Sequence, residues 1–163
     1  MKTILLLSDT HSFADASLTK HYKNVDEIWH AGDIGTLDVT DYLKSFAPLR
    51  AVYGNIDDQE IRSEFPKDLF FEIEGFKVWM THIGGYPPKY SKKIIPTLNI
   101  EKPSIFICGH SHILKVIFDK ERQCLHLNPG AIGKHGFHNV RTMLKFKLDK
   151  GNISDMKILE YPR

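Results

Sequence analysis

The sequence lacks several features that would assign it to a special class of protein. It has only two cysteines among its 163 residues, Cys108 and Cys124. Two thiols cannot form a disulfide framework, so a reducing, cytoplasmic setting is expected. The 22 Lys and Arg residues nearly balance the 20 Asp and Glu residues. This balance gives no reason to expect nucleic acid or an anionic membrane as an obligatory partner.

Long apolar runs are missing as well. The run near the N-terminus, Ile4–Leu7, has four residues, whereas a signal peptide needs ~7–15 and a spanning helix needs ~20. We therefore expect no targeting segment and no membrane span, and interpret this run as a buried strand. Linkers, repeats and low-complexity tracts are not apparent, so residues 1–163 are predicted to form a single domain.

Short apolar runs alternate with possible helices in the first two-thirds of the chain. Five runs predict strands: Thr3–Leu7, Glu27–His30, Arg50–Tyr53, Val78–Thr81 and Ser104–Cys108. The predicted helices are Ala14–Tyr22, Leu37–Phe46 and Tyr90–Leu98. Pro96 is expected to limit or kink the C-terminal end of the last helix. This alternation is typical of βαβ units and predicts an α/β fold with a largely parallel sheet.

The remaining strands are arranged as hairpins. The predicted pairs are Ile113–Phe118 with Gln123–Leu127, Arg141–Leu148 with Asn152–Leu159, and Leu69–Ile73 with Phe76–Thr81. A hairpin pairs its two strands antiparallel, so these segments predict a second sheet that is antiparallel or mixed.

Each strand of the parallel type is followed by polar residues. These residues are Asp9 and His11, His30 and Asp33, Asn55 and Asp57, His82, and His110 and His112. Ligands bind in α/β folds beyond the carboxyl ends of parallel strands, which lie along one edge of the sheet. The five groups are therefore expected to converge in space although they are far apart in sequence.

The chemistry of this set points to divalent metal ions. Asp and Asn offer oxygen, His offers nitrogen, and no cysteine belongs to the set. Such ligands suit Mn²⁺, Fe²⁺, Zn²⁺, Co²⁺ or Ni²⁺ better than a thiolate zinc site or a calcium cage. Seven candidates exceed the needs of one tetrahedral ion and suffice for two: Asp9, His11, Asp33, Asn55, His82, His110 and His112. Ordinary turn chemistry explains any one of them but not the whole set in this order.

The same residues carry a family resemblance. Asp9-x-His11, Gly32-Asp33, Gly54-Asn55, His82 and Gly109-His110-x-His112 resemble the five blocks of the calcineurin-like metallophosphoesterases. The small size, Gly54–Asp57 and Asn128-Pro129-Gly130 resemble the single-domain bacterial and archaeal branch, which is related to the retromer scaffold subunit of eukaryotes. The blocks follow family order from residue 9 to residue 130, so the resemblance covers most of the chain.

The resemblance implies a four-layer α/β/β/α sandwich of two mixed sheets and a dinuclear metal centre. Asp9, His11 and His112 would hold one ion, Asn55, His82 and His110 the other, and Asp33 would bridge them. Mn²⁺ is the favoured ion. A hydroxide bridging the ions would attack phosphorus in line, which makes Asp33, Asn55 and His82 part of the catalytic centre.

Two positions depart from the family pattern. Many members carry a His directly after the Asn of the third block, where it is thought to help protonate the leaving group. Ile56 stands there in this chain and cannot transfer a proton. A second His that often follows the fourth block is also missing, because the chain continues Ile83-Gly84-Gly85. Neither change removes a metal ligand.

Several residues near the blocks allow two interpretations. His30 either orients a metal ligand or is a partly buried strand residue. Asp57 either contacts a ligand His or the leaving group, which we slightly favour, or caps a helix over Asp58–Ile61. Residues Tyr86–Tyr90 form either an aromatic wall beside the metals or a rigid loop.

The segment after residue 127 is also open to two interpretations. The backbone around Asn128 and Gly130 forms either an anion-binding nest or a turn at the edge of the site. The basic residues that follow are Lys134, His135, His138 and Arg141. We interpret them mainly as a solvated loop and keep substrate contact, above all by His135, as the alternative.

These observations predict a cytoplasmic, metal-dependent phosphoesterase, with phosphodiesters favoured over monoesters as small substrates. The alternative is a protein-interaction scaffold with a vestigial metal site, and complete blocks argue against it. A nuclease would need a basic groove that the charge balance does not favour. Homo-oligomerisation is left open.

Overall fold

The computed structural model describes residues 1–163 and consists of two five-stranded sheets, a small hairpin and four short helices. The strands are β1 (Lys2–Leu7), β2 (Glu27–His30), β3 (Leu49–Ala51), β4 (Asp68–Ile73), β5 (Phe76–Thr81), β6 (Gly85–Tyr86), β7 (Lys89–Tyr90), β8 (Ile105–Ile107), β9 (Leu114–Asp119), β10 (Cys124–Pro129), β11 (Val140–Asp149) and β12 (Asn152–Pro162). The helices are α1 (Thr19–Tyr22), which follows a 3₁₀ turn at Ala16–Leu18, α2 (Leu37–Lys44), α3 (Gln59–Glu64) and α4 (Ile95–Glu101).

Both large sheets are mixed. The first has the order β12-β11-β1-β2-β3, in which β1, β2 and β3 are parallel and the other two strands are antiparallel additions. The second has the order β4-β5-β8-β10-β9, in which β5, β8 and β10 are parallel. In the first sheet Leu7 pairs with His30, and His30 pairs with Ala51. This register ends three strands at the same level, so the residues that follow them are neighbours.

The alternation of side chains along the strands explains how the sheets are covered. Ile4 and Leu6 point into a core shared with the second sheet, whereas Leu5 and Leu7 point into a core against α1, α2 and α3. All four are fully buried, and each contributes roughly 1.5–3 kcal/mol by leaving water. The continuous apolar run at the N-terminus is thus a strand buried on both faces, as predicted.

A third core lies on the outer face of the second sheet. Trp79 and Phe106 point away from the first sheet and pack against Leu98 of α4. The layers are therefore helices, first sheet, second sheet and α4. This arrangement confirms the predicted α/β/β/α sandwich of two mixed sheets.

Two details of the sequence prediction are wrong. The five parallel-type strands do not form one sheet: three lie in the first sheet and two in the second, because hairpins extend both sheets. The predicted helix Tyr90–Leu98 begins only at Ile95 and runs to Glu101. Pro96 lies in its first turn, where the missing N–H has no partner to lose, so this proline starts the helix instead of limiting its end.

No helix of the structure is both long and apolar enough to cross a membrane.

Candidate metal centre

Two clusters of potential ligands meet beyond the ends of the central strands. The first cluster contains Asp9, His11 and His112, and the second contains Asp33, His82 and His110. Within each cluster the ligand atoms all lie within 4.8 Å of one another. Residues that follow β1, β2, β5 and β8 thus lie close together, as the sequence predicted, although these strands belong to two sheets and not to one.

Asp33 lies between the two clusters. One carboxylate oxygen, Oδ1, is 3.2 Å from Nε2 of His82 in the second cluster. The other, Oδ2, is 3.5 Å from Nε2 of His11 in the first cluster. The Asp33 carboxylate thus turns one oxygen to each cluster.

Asp9 is held so that one of its oxygens stays free. Oδ2 accepts hydrogen bonds from the Ser8 hydroxyl at 2.6 Å and from the backbone N–H of His110 at 3.1 Å. Oδ1 has no hydrogen-bond partner and lies 3.1 Å from Nε2 of His112. The loop after β8 is therefore tied to the loop after β1 through the ligand itself.

Two glycines permit this close approach of loops. A Cβ at Gly54 would overlap Oδ1 of Asp33, and a Cβ at Gly109 would overlap the Ser8 hydroxyl. A side chain at either position would push the Asp33 or Asp9 carboxylate out of place.

His82 is oriented by the backbone. Its Nδ1 lies 2.7 Å from the carbonyl oxygen of Ala31, which is only an acceptor, so Nδ1 carries the proton. Its Nε2 then presents a lone pair towards Asp33 and Asp9. A ring fixed through one nitrogen and free at the other is the usual arrangement of a metal-binding histidine.

His112 is oriented through a second imidazole. Nε2 of His138 lies 2.8 Å from the carbonyl oxygen of Gly133 and must donate to it. Nδ1 of His138 is then an acceptor, and it lies 3.3 Å from Nδ1 of His112. This chain of bonds leaves the Nε2 lone pair of His112 facing Asp9.

The backbone at the predicted ligands is strained. Asp9, His11, Asp33, His110 and His112 have φ of 55°, 45°, 53°, 70° and 59°. Residues other than Gly are uncommon in this left-handed region, although Asn, Asp and His occur there more often than the rest, and the conformation costs roughly 1 kcal/mol each. Because five such residues lie together, we infer that the fold accepts an unfavourable backbone conformation in order to position these side chains.

The donor set fits a pair of divalent cations. Asp9 Oδ1, His11 Nε2 and His82 Nε2 are buried polar atoms with no hydrogen-bond partner in the protein. Buried atoms of this kind are costly unless something binds them, and all three face the same space. Carboxylate oxygen and imidazole nitrogen without thiolate suit first-row transition metals.

The electrostatics point the same way. Burial lowers the pKa of His11, although Asp33 and Asp9 oppose the shift. Burial also acts to lower the pKa of His82, but the Asp33 carboxylate beside its Nε2 and the charge of Asp9 outweigh it and raise that pKa. For Asp33, burial acts to raise the pKa, and the contact with His82 and the charge of His82 outweigh it, so the pKa is lowered. The carboxylates therefore concentrate negative charge where a cation would lie.

Two pockets meet at this centre. One, of about 450 Å³, is lined by His11, Asp33, His110 and His112 and has an apolar rim. The other, of about 420 Å³, reaches His82. Asn55 lines both. The predicted ligand Asn55 thus lies at the boundary between them.

Comparison with known proteins agrees with these observations. The family model "Calcineurin-like phosphoesterase superfamily domain" matches residues 1–151. The chain belongs to this superfamily. A probable metallophosphoesterase of Methanothermobacter thermautotrophicus is 33% identical over 132 residues, which cover 77% of this chain and 74% of that protein.

Solved structures share the fold of this phosphoesterase chain. Wild-type Vps29 from Entamoeba histolytica, complexed with Zn²⁺, has a TM-score of 0.74 at 15% identity and covers 98% of both chains. A novel archaeal phosphodiesterase has a TM-score of 0.69 at 22% identity, over 96% of this chain and 99% of that one. At these identities the likeness concerns the fold.

Asp57 organises the loops of the phosphoesterase centre and does not face it. Its carboxylate accepts three backbone N–H groups, from Ile34 at 3.1 Å, Gly35 at 2.8 Å and Gly54 at 2.7 Å. It therefore ties the loop of Asp33 to the loop of Asn55. The helix cap predicted as its alternative role belongs to Asp58, whose side chain accepts from the N–H of Ile61.

His30 is fully buried behind the centre. Its Nδ1 accepts from the N–H of Gly32 at 3.1 Å, so its Nε2 donates to the Thr10 hydroxyl at 2.9 Å. Burial lowers its pKa to about 3, so it stays neutral. His30 stabilises the loops that carry Asp9 and Asp33 and makes no hydrogen bond to a ligand side chain.

The interpretation of this segment as an anion-binding nest is wrong for Gly130, Ile132 and Gly133, because their backbone N–H groups already donate to acceptors within the protein. The N–H of Gly130 donates to the Asn128 side chain at 3.0 Å. The N–H groups of Ile132 and Gly133 donate to the carbonyls of Ser8 and Asp9. Asn128 itself is buried and binds the Gly109 carbonyl at 3.0 Å. It holds the loop of His110 and does not reach towards the centre.

The basic residues after Gly133 are not one solvated loop. Arg141 is buried. Its Nε donates a hydrogen bond to the Ile132 carbonyl, and its terminal guanidinium N–H donates to the Asp15 carboxylate at 2.8 Å. His138 supports His112, a role that sequence reasoning missed because no spacing signal links the two. His135 lies at the pocket mouth with its ring 4.7 Å from that of His11.

The aromatic wall predicted at Tyr86–Tyr90 is only partly in place. Tyr86 lines a small pocket beside His110, with Lys115 above its ring. Tyr90 is buried, and its hydroxyl donates to Asp119 at 2.8 Å.

Proposed function

We propose that this chain is a phosphodiesterase that uses two divalent ions to hydrolyse a small phosphodiester. The observation that carries this proposal is the position of Asp33, with one oxygen turned to each of two ligand clusters. Asp9, His11 and His112 would hold one ion, and Asn55, His82 and His110 the other. Mn²⁺ is the ion we favour, with Ni²⁺, Fe²⁺, Zn²⁺ and Co²⁺ as alternatives.

Bound ions would neutralise the charge of the phosphoryl oxygens and acidify the attacking water. The protein's own contribution is to fix the ligands before substrate arrives. Nδ1 of His82 donates its proton in a hydrogen bond to the Ala31 carbonyl, and Nδ1 of His112 donates to Nδ1 of His138. Neither ring therefore has to turn to present its Nε2 to a metal ion.

No side chain of the third block can supply the leaving group's proton. Ile56 is 46% exposed at the pocket edge and offers only a hydrocarbon surface. Turnover should accordingly favour leaving groups that depart without protonation, such as aryl oxides. His135, exposed at the mouth of the same pocket, is our candidate for contact with substrate.

The two pockets support a diester over a monoester. A phosphodiester carries two substituents, and a pocket lies on either side of Asn55 to receive them. A phosphomonoester carries one substituent and would leave one of the two pockets empty.

Hydrolysis of bis(p-nitrophenyl) phosphate with Mn²⁺ tests the proposal. We expect turnover that EDTA abolishes and Mn²⁺ or Ni²⁺ restores, with a higher kcat/KM than for p-nitrophenyl phosphate. A monoester preference would overturn the diester assignment. Failure to hydrolyse either compound with any of the five metals would overturn the enzyme assignment itself.

A scaffold function is the second candidate, and one surface favours it. Phe137 is fully exposed, and Ile113 is 57% exposed, on the rim of the pocket at the metal centre. A partner protein could cover these side chains. The hydrolysis assay separates the two candidates, because a scaffold with a vestigial site would not turn over. We also propose a single-domain organisation and a cytoplasmic setting for this chain.

A further inference from the structure

The two pockets at the metal centre differ in charge. The rim of the pocket beside His11 and His112 is formed by Ile56, Ile113 and Phe137, all exposed hydrophobic side chains. The other pocket, called the basic pocket here, contains Arg62, Lys67 and Lys93. Because Asn55 and His82 line the basic pocket too, a group bound there would be directly beside the proposed ions.

The cations of the basic pocket have no acidic partner. Neither Lys67, Lys93 nor Arg62 takes part in any of the ion pairs of the protein, which include Lys44 with Glu64 and Lys77 with Glu101. The carboxylate in the lining, Asp68, accepts a hydrogen bond from the indole N–H of Trp79 at 3.1 Å. With three cationic side chains and one carboxylate in its lining, the pocket keeps a net positive charge.

Arg62 is held in place. Its Nε donates to the backbone carbonyl of Asp57 at 2.7 Å, and its guanidinium lies over the ring of Tyr53 at 4.7 Å from the centroid. Such anchoring reduces the entropy lost when the remaining N–H groups bind a ligand.

Hydroxyl groups complete the lining. Ser91 and Thr97 face the basic pocket, and neither hydroxyl makes a hydrogen bond within the protein. A fixed guanidinium, exposed ammonium groups and free hydroxyls together match the several acceptor oxygens of a phosphate.

We propose that the basic pocket binds a second phosphate carried by the substrate, on the substituent that lies on the His82 side of the scissile phosphorus. This inference rests on the proposed phosphodiesterase function and narrows its substrate class to diesters with a further phosphate, such as a phosphorylated nucleotide ester. A volume of about 420 Å³ is within the ~300–1,000 Å³ typical of small-molecule pockets. The apolar rim on the opposite side receives the uncharged substituent.

A matched pair of chromogenic substrates tests the proposal on the Mn²⁺-loaded protein. Thymidine 3′-(p-nitrophenyl phosphate) is compared with the same compound bearing a 5′-phosphate. We expect about tenfold higher kcat/KM for the 5′-phosphorylated compound, the effect of two or three solvent-screened ionic contacts. The ratio should fall towards one in 0.5 M NaCl.

Variants show whether the pocket causes the preference. In the double variant Lys67→Gln, Lys93→Gln the ratio of the two kcat/KM values should approach one. Lys120→Gln, at an exposed lysine in the β9–β10 turn, should keep the full ratio and the full rate. Melting curves of each variant check that it is folded.

The outcomes are distinguishable. Equal kcat/KM for both compounds, or a preference that the double variant retains, overturns the second-phosphate site while the phosphodiesterase assignment stands. Absence of hydrolysis of both compounds overturns the phosphodiesterase assignment and this inference with it.

Discussion

The metal centre and the ring of His126 both bury polar atoms without hydrogen-bond partners, and they differ in how those atoms are arranged. At the metal centre, Asp9 Oδ1, His11 Nε2 and His82 Nε2 point into one space. Below α4, both ring nitrogens of His126 are unpartnered, but the ring lies alone against Tyr90 and Phe106. Convergence distinguishes the two: the first region can share a ligand, whereas His126 can only remain neutral.

Removing the charge of Asp33 should break the first region most severely. In Asp33→Asn the Ile56 N–H keeps an acceptor, but the anionic bridge between the clusters is lost. We expect hydrolysis of bis(p-nitrophenyl) phosphate to fall about 1,000-fold or more and calorimetric titration with Mn²⁺ to lose both binding events. Asp155→Asn, at an exposed carboxylate paired with Lys147, is the matched control. A variant that still binds two ions tightly would remove Asp33 from the bridging position.

Adding metal should stabilise the protein through the first region alone. At an ion concentration 100 times Kd, one site adds ~2.7 kcal/mol to the free energy of unfolding. For a chain of this size this corresponds to a rise in Tm of roughly 5–10 °C over the EDTA-treated protein. The rise should vanish in Asp33→Asn and persist in His126→Phe. Its loss in His126→Phe would show that the two regions are not independent.

The bond from His112 to His138 should matter less than a direct ligand. His138→Ala frees the ring of His112, and we expect about tenfold weaker Mn²⁺ binding at one of two sites, measured by titration calorimetry. His138→Asn keeps an acceptor near the position of Nδ1 and should recover part of the affinity. Asn139→Ala, its exposed neighbour, serves as control. Equal affinity of all three variants would mean that His112 needs no support.

The smallest effect concerns His126 and appears only in acid. Burial lowers the pKa of His126 from 6.5 to about 4. Between these two pH values the His126 ring is protonated in the unfolded chain and neutral in the folded protein. Stability therefore falls as pH drops through this window, by about 1 kcal/mol at pH 6. His126→Phe should lessen that loss in urea titrations, and His126→Leu provides a second variant if Phe does not fit. An unchanged pH profile in both would mean that His126 is not the cause.

The sequence predicted the convergence at the centre because strand ends, turn glycines and ligand types are all local signals. The fold brings six of the seven predicted ligands into two clusters and places Asn55 on the wall of both pockets, and metal binding by these residues stays a prediction. The sequence prediction erred on the sheets, because pairing between strands distant in sequence has no local signal. The same reason explains why His138 and Arg141 were assigned to a solvated loop: their partners, His112 and Asp15, are 26 and 126 residues away.

Asp57 and Asn128 show another limit. Both types of residue are common at reactive centres and also at turns, and sequence does not say which way a side chain faces. Here their oxygens bind backbone amides. Their contribution is to hold loops, and only coordinates separate that role from contact with substrate.

The left-handed backbone at five of the proposed ligands has a consequence for engineering. Glycine at His11 or His112 would relieve the torsional strain at that position and remove a metal-binding imidazole in the same step. A selection for heat resistance alone would thus reward replacements that destroy the centre. Thermostable designs of this chain should therefore leave these five positions fixed and look for improvement elsewhere.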